Sequence, residues 1–130
     1  MKKISAVLLA VSFLLVETGC SKKTTNEIQE RNGISYAPNE TVPFTGLYQT
    51  NYPSGQKQAE ENYVEGKLNG LVIMWFESGQ KQAELNYTDG NQDGLTVMWN
   101  ENGQKIYEGN WVDGKENGLQ KYWHDNGTLL

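Results

Sequence analysis

Gly70-Leu71-Val72-Ile73-Met74-Trp75-Phe76-Glu77-Ser78-Gly79-Gln80-Lys81-Gln82-Ala83-Glu84-Leu85-Asn86-Tyr87 decides the fold. Its first half is rich in β-branched and aromatic residues, which fit a pleated, half-buried surface. Ser78-Gly79 then interrupts it, and a second strand-like run follows from Gln80 to Tyr87. Two such runs around a short glycine turn read as a β-hairpin.

The hairpin recurs every 24 residues. Gly46, Gly70, Gly94 and Gly118 share this spacing, as do Gly55, Gly79, Gly103 and Gly127, and Gly66, Gly90 and Gly114. Leu47, Leu71, Leu95 and Leu119 follow the period, as do Trp75, Trp99 and Trp123, and Glu60, Glu84 and Glu108. A fixed period of this length is the mark of a repeat architecture. Asn102-Gly103 and Asn126-Gly127 are expected to form two-residue type I′ turns, which need positive φ at both central residues. The second turn of each unit, such as Asp113-Gly114-Lys115-Glu116-Asn117-Gly118, reads as looser. The expected fold is all-β: an elongated, single-layer antiparallel meander of hairpins over residues 33–130, with units starting near 46, 70, 94 and 118.

A different pattern occupies the N-terminus. Lys2 and Lys3 precede an apolar run from Ile4 to Val16. That run is shorter than the roughly 20 residues of a membrane-spanning helix. It reads as an export signal over residues 1–19, helical in form. Gly19-Cys20 resembles the end of a bacterial lipoprotein signal, although Glu17 stands where that signal favours a Leu-like residue. The resemblance implies acylation of Cys20 and a membrane-anchored protein of the bacterial cell envelope. The alternative is an ordinary secretory signal and a secreted or periplasmic protein. Cys20 is the only cysteine of the 130 residues, so no internal disulfide can form. The polar residues that follow, up to 32, read as a flexible tether.

The copies of Tyr52-Pro53-Ser54-Gly55-Gln56-Lys57-Gln58-Ala59-Glu60 and of Tyr63-Val64-Glu65-Gly66-Lys67-Leu68-Asn69-Gly70 resemble the variant MORN repeat, MORN-2 type. Small bacterial proteins carrying it are often labelled YwqK-type antitoxins. The resemblance covers roughly residues 31–130. It implies a thin β-sheet used for binding, with no catalytic residues to carry over.

Composition narrows the partners. The formal charge is −5, and no cluster of Lys and Arg is present for phosphate. Nucleic acid is therefore not an expected partner. An enzyme is not expected either. The single histidine, His124, has no nearby Cys, and the recurrent glutamates are not a matched pair in contrasting environments. The glycines are spaced as turns, with no phosphate loop, so no cofactor or metal is expected.

If Ser78-Gly79 is a two-residue loop, Gly70 lies opposite Tyr87, Ile73 opposite Glu84 and Trp75 opposite Gln82. One sheet face then carries a row of Trp75, Trp99 and Trp123 beside Glu84 and Glu108. That row has two readings. Aromatics beside carboxylates suit a binding face for sugars, peptides or cationic groups. Large rings also cover the backbone of a sheet that has no second layer, and their recurrence in every unit favours this packing role. Departures from the period stand out against this: Ile106 replaces Gln58 and Gln82, and Tyr107 replaces Ala59 and Ala83, which enlarges the apolar surface late in the array, either as a packing adjustment or as a contact patch. Two functions are expected: an envelope-anchored module binding or scaffolding a protein or glycan, or an immunity-type protein neutralising a toxin.

Overall fold

A computed structural model describes residues 23–130. The export signal (1–19), its expected helix and the lipidation call on Cys20 lie outside the described residues. The fold is all-β, as the hairpin period requires. Eleven strands are present among the described residues: β1 (Thr24–Thr25), β2 (Gln29–Arg31), β3 (Ile34–Tyr36), β4 (Gly46–Asn51), β5 (Lys57–Val64), β6 (Lys67–Trp75), β7 (Lys81–Thr88), β8 (Asn91–Gln92), β9 (Gly94–Trp99), β10 (Lys105–Val112) and β11 (Lys115–Tyr122). From β4 onward each strand pairs antiparallel with the next, with β8 and β9 acting as one interrupted strand.

The two kinds of turn exchange the roles expected of them. Glu65-Gly66, Asp89-Gly90 and Asp113-Gly114 have positive φ at both residues, such as 49° and 75° at Asp113 and Gly114. They join directly paired residues, Val64 to Lys67, Thr88 to Asn91 and Val112 to Lys115. These are the tight two-residue turns. The Ser-Gly and Asn-Gly turns are three-residue loops instead. Gly79 alone has positive φ, and its N–H donates to the Phe76 carbonyl at 2.8 Å while the Phe76 N–H donates to the Gln80 carbonyl at 2.8 Å. Asn102 does not take a left-handed conformation, because Gly103 alone supplies it after an ordinary turn.

This correction propagates over a short distance. Trp75 pairs with Lys81, not Gln82. A bulge at Gln82 then adds one residue, and beyond it Met74 faces Ala83, Ile73 faces Glu84 and Gly70 faces Tyr87. The longer loop and the bulge cancel, so the expected register holds everywhere except beside the turn. The same bulge recurs at Gln58 and Ile106. A second irregularity follows each tight turn, where Gly70 takes φ 102°. There the Asn62 side-chain amide donates to the Leu71 carbonyl at 2.6 Å, and Asn86 does the same to Leu95 at 2.8 Å.

The tether expected over residues 20–32 gives way to strands within its described part. β1 pairs parallel with Leu47 and Tyr48 of β4, and β2 forms a hairpin with β3. Ile28 is the reason: this one apolar residue of the segment packs against a buried cluster of Ala37, Phe44 and Tyr63. The Ser35 N–H donates to the Gly66 carbonyl at 2.9 Å, and the Gly66 N–H donates to the Phe44 carbonyl at 2.8 Å, tying the cap to the first tight turn.

Candidate functional site

Strand alternation divides the sheet from β4 to β11 into two faces. The first carries the rows expected from the sequence. Glu60, Ile73, Glu84, Val97, Glu108 and Lys121 are neighbours in one cross-strand line. Trp75, Trp99 and Trp123 share this face and are all half-buried. The bulges add a group that sequence alternation places on the other side. Lys81 and Ala83 are two residues apart and would share a face in a regular strand. The extra residue at Gln82 rotates Lys81 onto the tryptophan face.

The outcome is a ladder. The Lys57 ammonium lies 5.1 Å from the Trp75 ring centre, Lys81 lies 5.6 Å from Trp99, and Lys105 lies 5.5 Å from Trp123. Each of these lysines also pairs with the glutamate three residues on: Lys57 with Glu60 at 2.5 Å, Lys81 with Glu84, and Lys105 with Glu108 at 2.6 Å. Lys121 adds a second contact to Glu108 at 3.0 Å. The hydrogen bond from Lys105, then that from Lys121, holds the Glu108 carboxyl below the usual carboxylate range. All five residues expected at a binding face, Trp75, Trp99, Trp123, Glu84 and Glu108, are thus brought onto one surface. Their rings and charges are engaged with lysines of the same face. The signal for this was present as the recurrent Gln-Lys pair, but only the bulge shows which way the lysine points.

The opposite face is apolar. Thr50, Ala59, Met74, Ala83, Met98, Tyr107 and Tyr122 form one row across it. Ala59 and Ala83 are small and buried, whereas the third copy of that position is Tyr107. Its ring lies 5.2 Å from that of Tyr122 at 55°. The Tyr107 hydroxyl donates to the Gln120 side-chain oxygen at 2.7 Å and accepts from the Trp111 indole N–H at 3.2 Å. Burial pushes this hydroxyl's pKa up, so it stays protonated. Gly109, between Tyr107 and Trp111 in β10, stands where the earlier units have Glu61 and Leu85. A Cβ there would lie 1.6 Å from the Gln120 oxygen and 2.4 Å from the Tyr107 oxygen. The bare backbone lets those groups close over the strand.

Two cavities open on this face, of about 450 and 460 Å³. The first is bounded by Leu85, Met98 and the rings of Tyr107, Trp111 and Tyr122, with Glu116 at its side. The second lies against Met74, Phe76 and Ala83, reaches Trp99 at the end of β9 and Glu101 just past it, and shares Met98 and Ile106 with the first. Sequence reasoning singled out Tyr107 and Ile106 as departures, but missed Gly109, Trp111 and Tyr122 as their neighbours.

No curated protein and no solved structure matches the chain. The MORN repeat variant family matches it three times, at residues 44–65, 68–89 and 92–113. The matches share the 24-residue spacing, and each encloses one three-residue loop and ends on the first residue of a tight turn, Glu65, Asp89 or Asp113. Together they span half of the sequence, and the chain belongs to the MORN repeat variant family.

Proposed function

We propose that this protein is a non-catalytic binding module, held at the bacterial cell envelope by lipid on Cys20, that engages a protein or glycan partner through its apolar face. Repeats of this family generally serve as binding or scaffold modules. The contrast between the two faces carries the reading. On one face the tryptophans, lysines and glutamates are mutually engaged. On the other, two adjacent cavities and the side chains of Met74 and Tyr122 (38% and 47% exposed) are open to a partner. An exposed apolar surface of this kind marks an interaction site more often than a structural one.

The test is capture from envelope extracts with three baits. The unaltered protein and Lys81→Ala retain the partner, and Met74→Glu loses it while keeping its fold by circular dichroism. Capture lost with Lys81→Ala and kept with Met74→Glu moves the contact to the tryptophan face. Cys20→Ala shifts the protein out of the membrane fraction; if it stays there, the lipid anchor is wrong.

A further inference from the structure

The cavity between Leu85 and Tyr122 has a composition that selects a chemical class. Three aromatic rings bound it, those of Tyr107, Trp111 and Tyr122. The indole N–H and the two polar groups it leads to, Tyr107 and Gln120, are joined by hydrogen bonds, so Tyr107 and Trp111 are held in place. No lysine or arginine lines the cavity, and Glu116 is its only charged group. Glu116 makes no ion pair with any described residue, whereas Glu60, Glu84 and Glu108 on the other face are all neutralised by lysine. Four of the six lysines beyond residue 44 are committed to that other face.

We propose that this cavity is a binding site for a quaternary ammonium group of the choline type. Aromatic faces attract a diffuse cation through their quadrupole. A trimethylammonium fits a wall of rings better than a primary amine, because it has no N–H to satisfy and its methyl groups pack against Leu85 and Met98. The Glu116 carboxylate supplies the counter-charge. The site exists only in the third unit. In the first two, Ala59 and Ala83 replace the Tyr107 ring, and Glu61 and Leu85 put a side chain where Gly109 admits the Gln120 and Tyr107 oxygens. The inference rests on the apolar face being the binding face, and it names the ligand chemistry for one part of that face.

The test follows the Trp111 indole N–H by NMR in the intact chain during titration with choline. Choline shifts this signal saturably. The neutral isostere 3,3-dimethylbutan-1-ol binds about 10-fold more weakly, since it keeps the shape and loses the cation–π attraction. Tyr122→Ala, at an exposed position, abolishes binding with the fold intact, and Glu116→Gln weakens it several-fold. Glycerophosphocholine is titrated in parallel. Tighter binding than choline assigns the group to a lipid-type headgroup, and weaker binding assigns it to a free ligand. Equal binding of the neutral alcohol, or no shift with choline up to tens of millimolar, overturns the inference. Those results leave the capture experiment untouched, so the site can fail while the face assignment stands.

Discussion

Gly66 and Gly114 occupy the same place in their units and nearly the same conformation, φ 77° and 75°. Their surroundings differ. A Cβ on Gly114 meets nothing within 4 Å, whereas a Cβ on Gly66 would lie 2.4 Å from the Ile34 side chain and 2.7 Å from the Ser35 carbonyl oxygen. Gly114→Ala therefore carries only the left-handed backbone penalty, about 1–2 kcal/mol. Gly66→Ala carries that penalty and must also push the β2–β3 hairpin away, for a further ~1–3 kcal/mol. Urea unfolding of the two variants measures the difference directly. Equal losses would mean that the N-terminal hairpin does not bear on the first repeat.

Hairpins are the scale at which the sequence was most legible, and also where it misled. Two glycine series marked every turn of the repeats, because a left-handed residue is needed at each, and the third marked the irregular positions at Gly46, Gly70, Gly94 and Gly118. They did not mark which turn is tight. Asn102-Gly103 and Asp113-Gly114 both satisfy type I′ chemistry, and only the closing hydrogen bonds, such as Phe76 to Gln80, separate a two-residue from a three-residue loop. The tryptophan rows were readable because burial alternates along a strand. The lysine ladder was not, since one bulged residue reverses a side chain. The cavity was not, because Tyr122 meets Tyr107 only through strand pairing. The ladder has its own test in the β10–β11 hairpin. Glu108 joins the two strands by accepting from Lys105 and Lys121. Its folded pKa is depressed, so its contribution is present above the unfolded carboxylate value, about 4.3, and is lost as pH falls through the folded value. Exposed ion pairs are weak, so the loss is local. NMR signals of Tyr122 and Trp123 should broaden or shift on acidification while those of β6 persist. Glu108→Gln should remove that pH dependence; a variant that titrates like the parent would show that another group controls the hairpin.

Across the whole molecule, each unit touches its neighbours and little else, so stability is a sum of local terms and nearest-neighbour terms. The two ends of the array are unequal. At the N-terminal end, Phe44 is 2% exposed and packs with Ala37 and Tyr63 beneath the cap. At the other end β11 pairs with β10 alone among the named strands, and Leu119 is 77% exposed where its equivalents Leu71 and Leu95 are 36% and 44% exposed. Amide hydrogen exchange should therefore be slowest in β5 to β7 and fastest in β11. Phe44→Ala should destabilise the capped end by about 3–5 kcal/mol, the usual scale for truncating a buried aromatic ring. In a one-dimensional array that loss raises exchange in β4 and β5 and fades along the chain, leaving β10 and β11 close to their original rates. Acceleration by one common factor at every amide would show a single cooperative unit instead. The cavity between Leu85 and Tyr122 would then be coupled to the N-terminal cap, and not, as nearest-neighbour packing requires, to β7, β9, β10 and β11 alone.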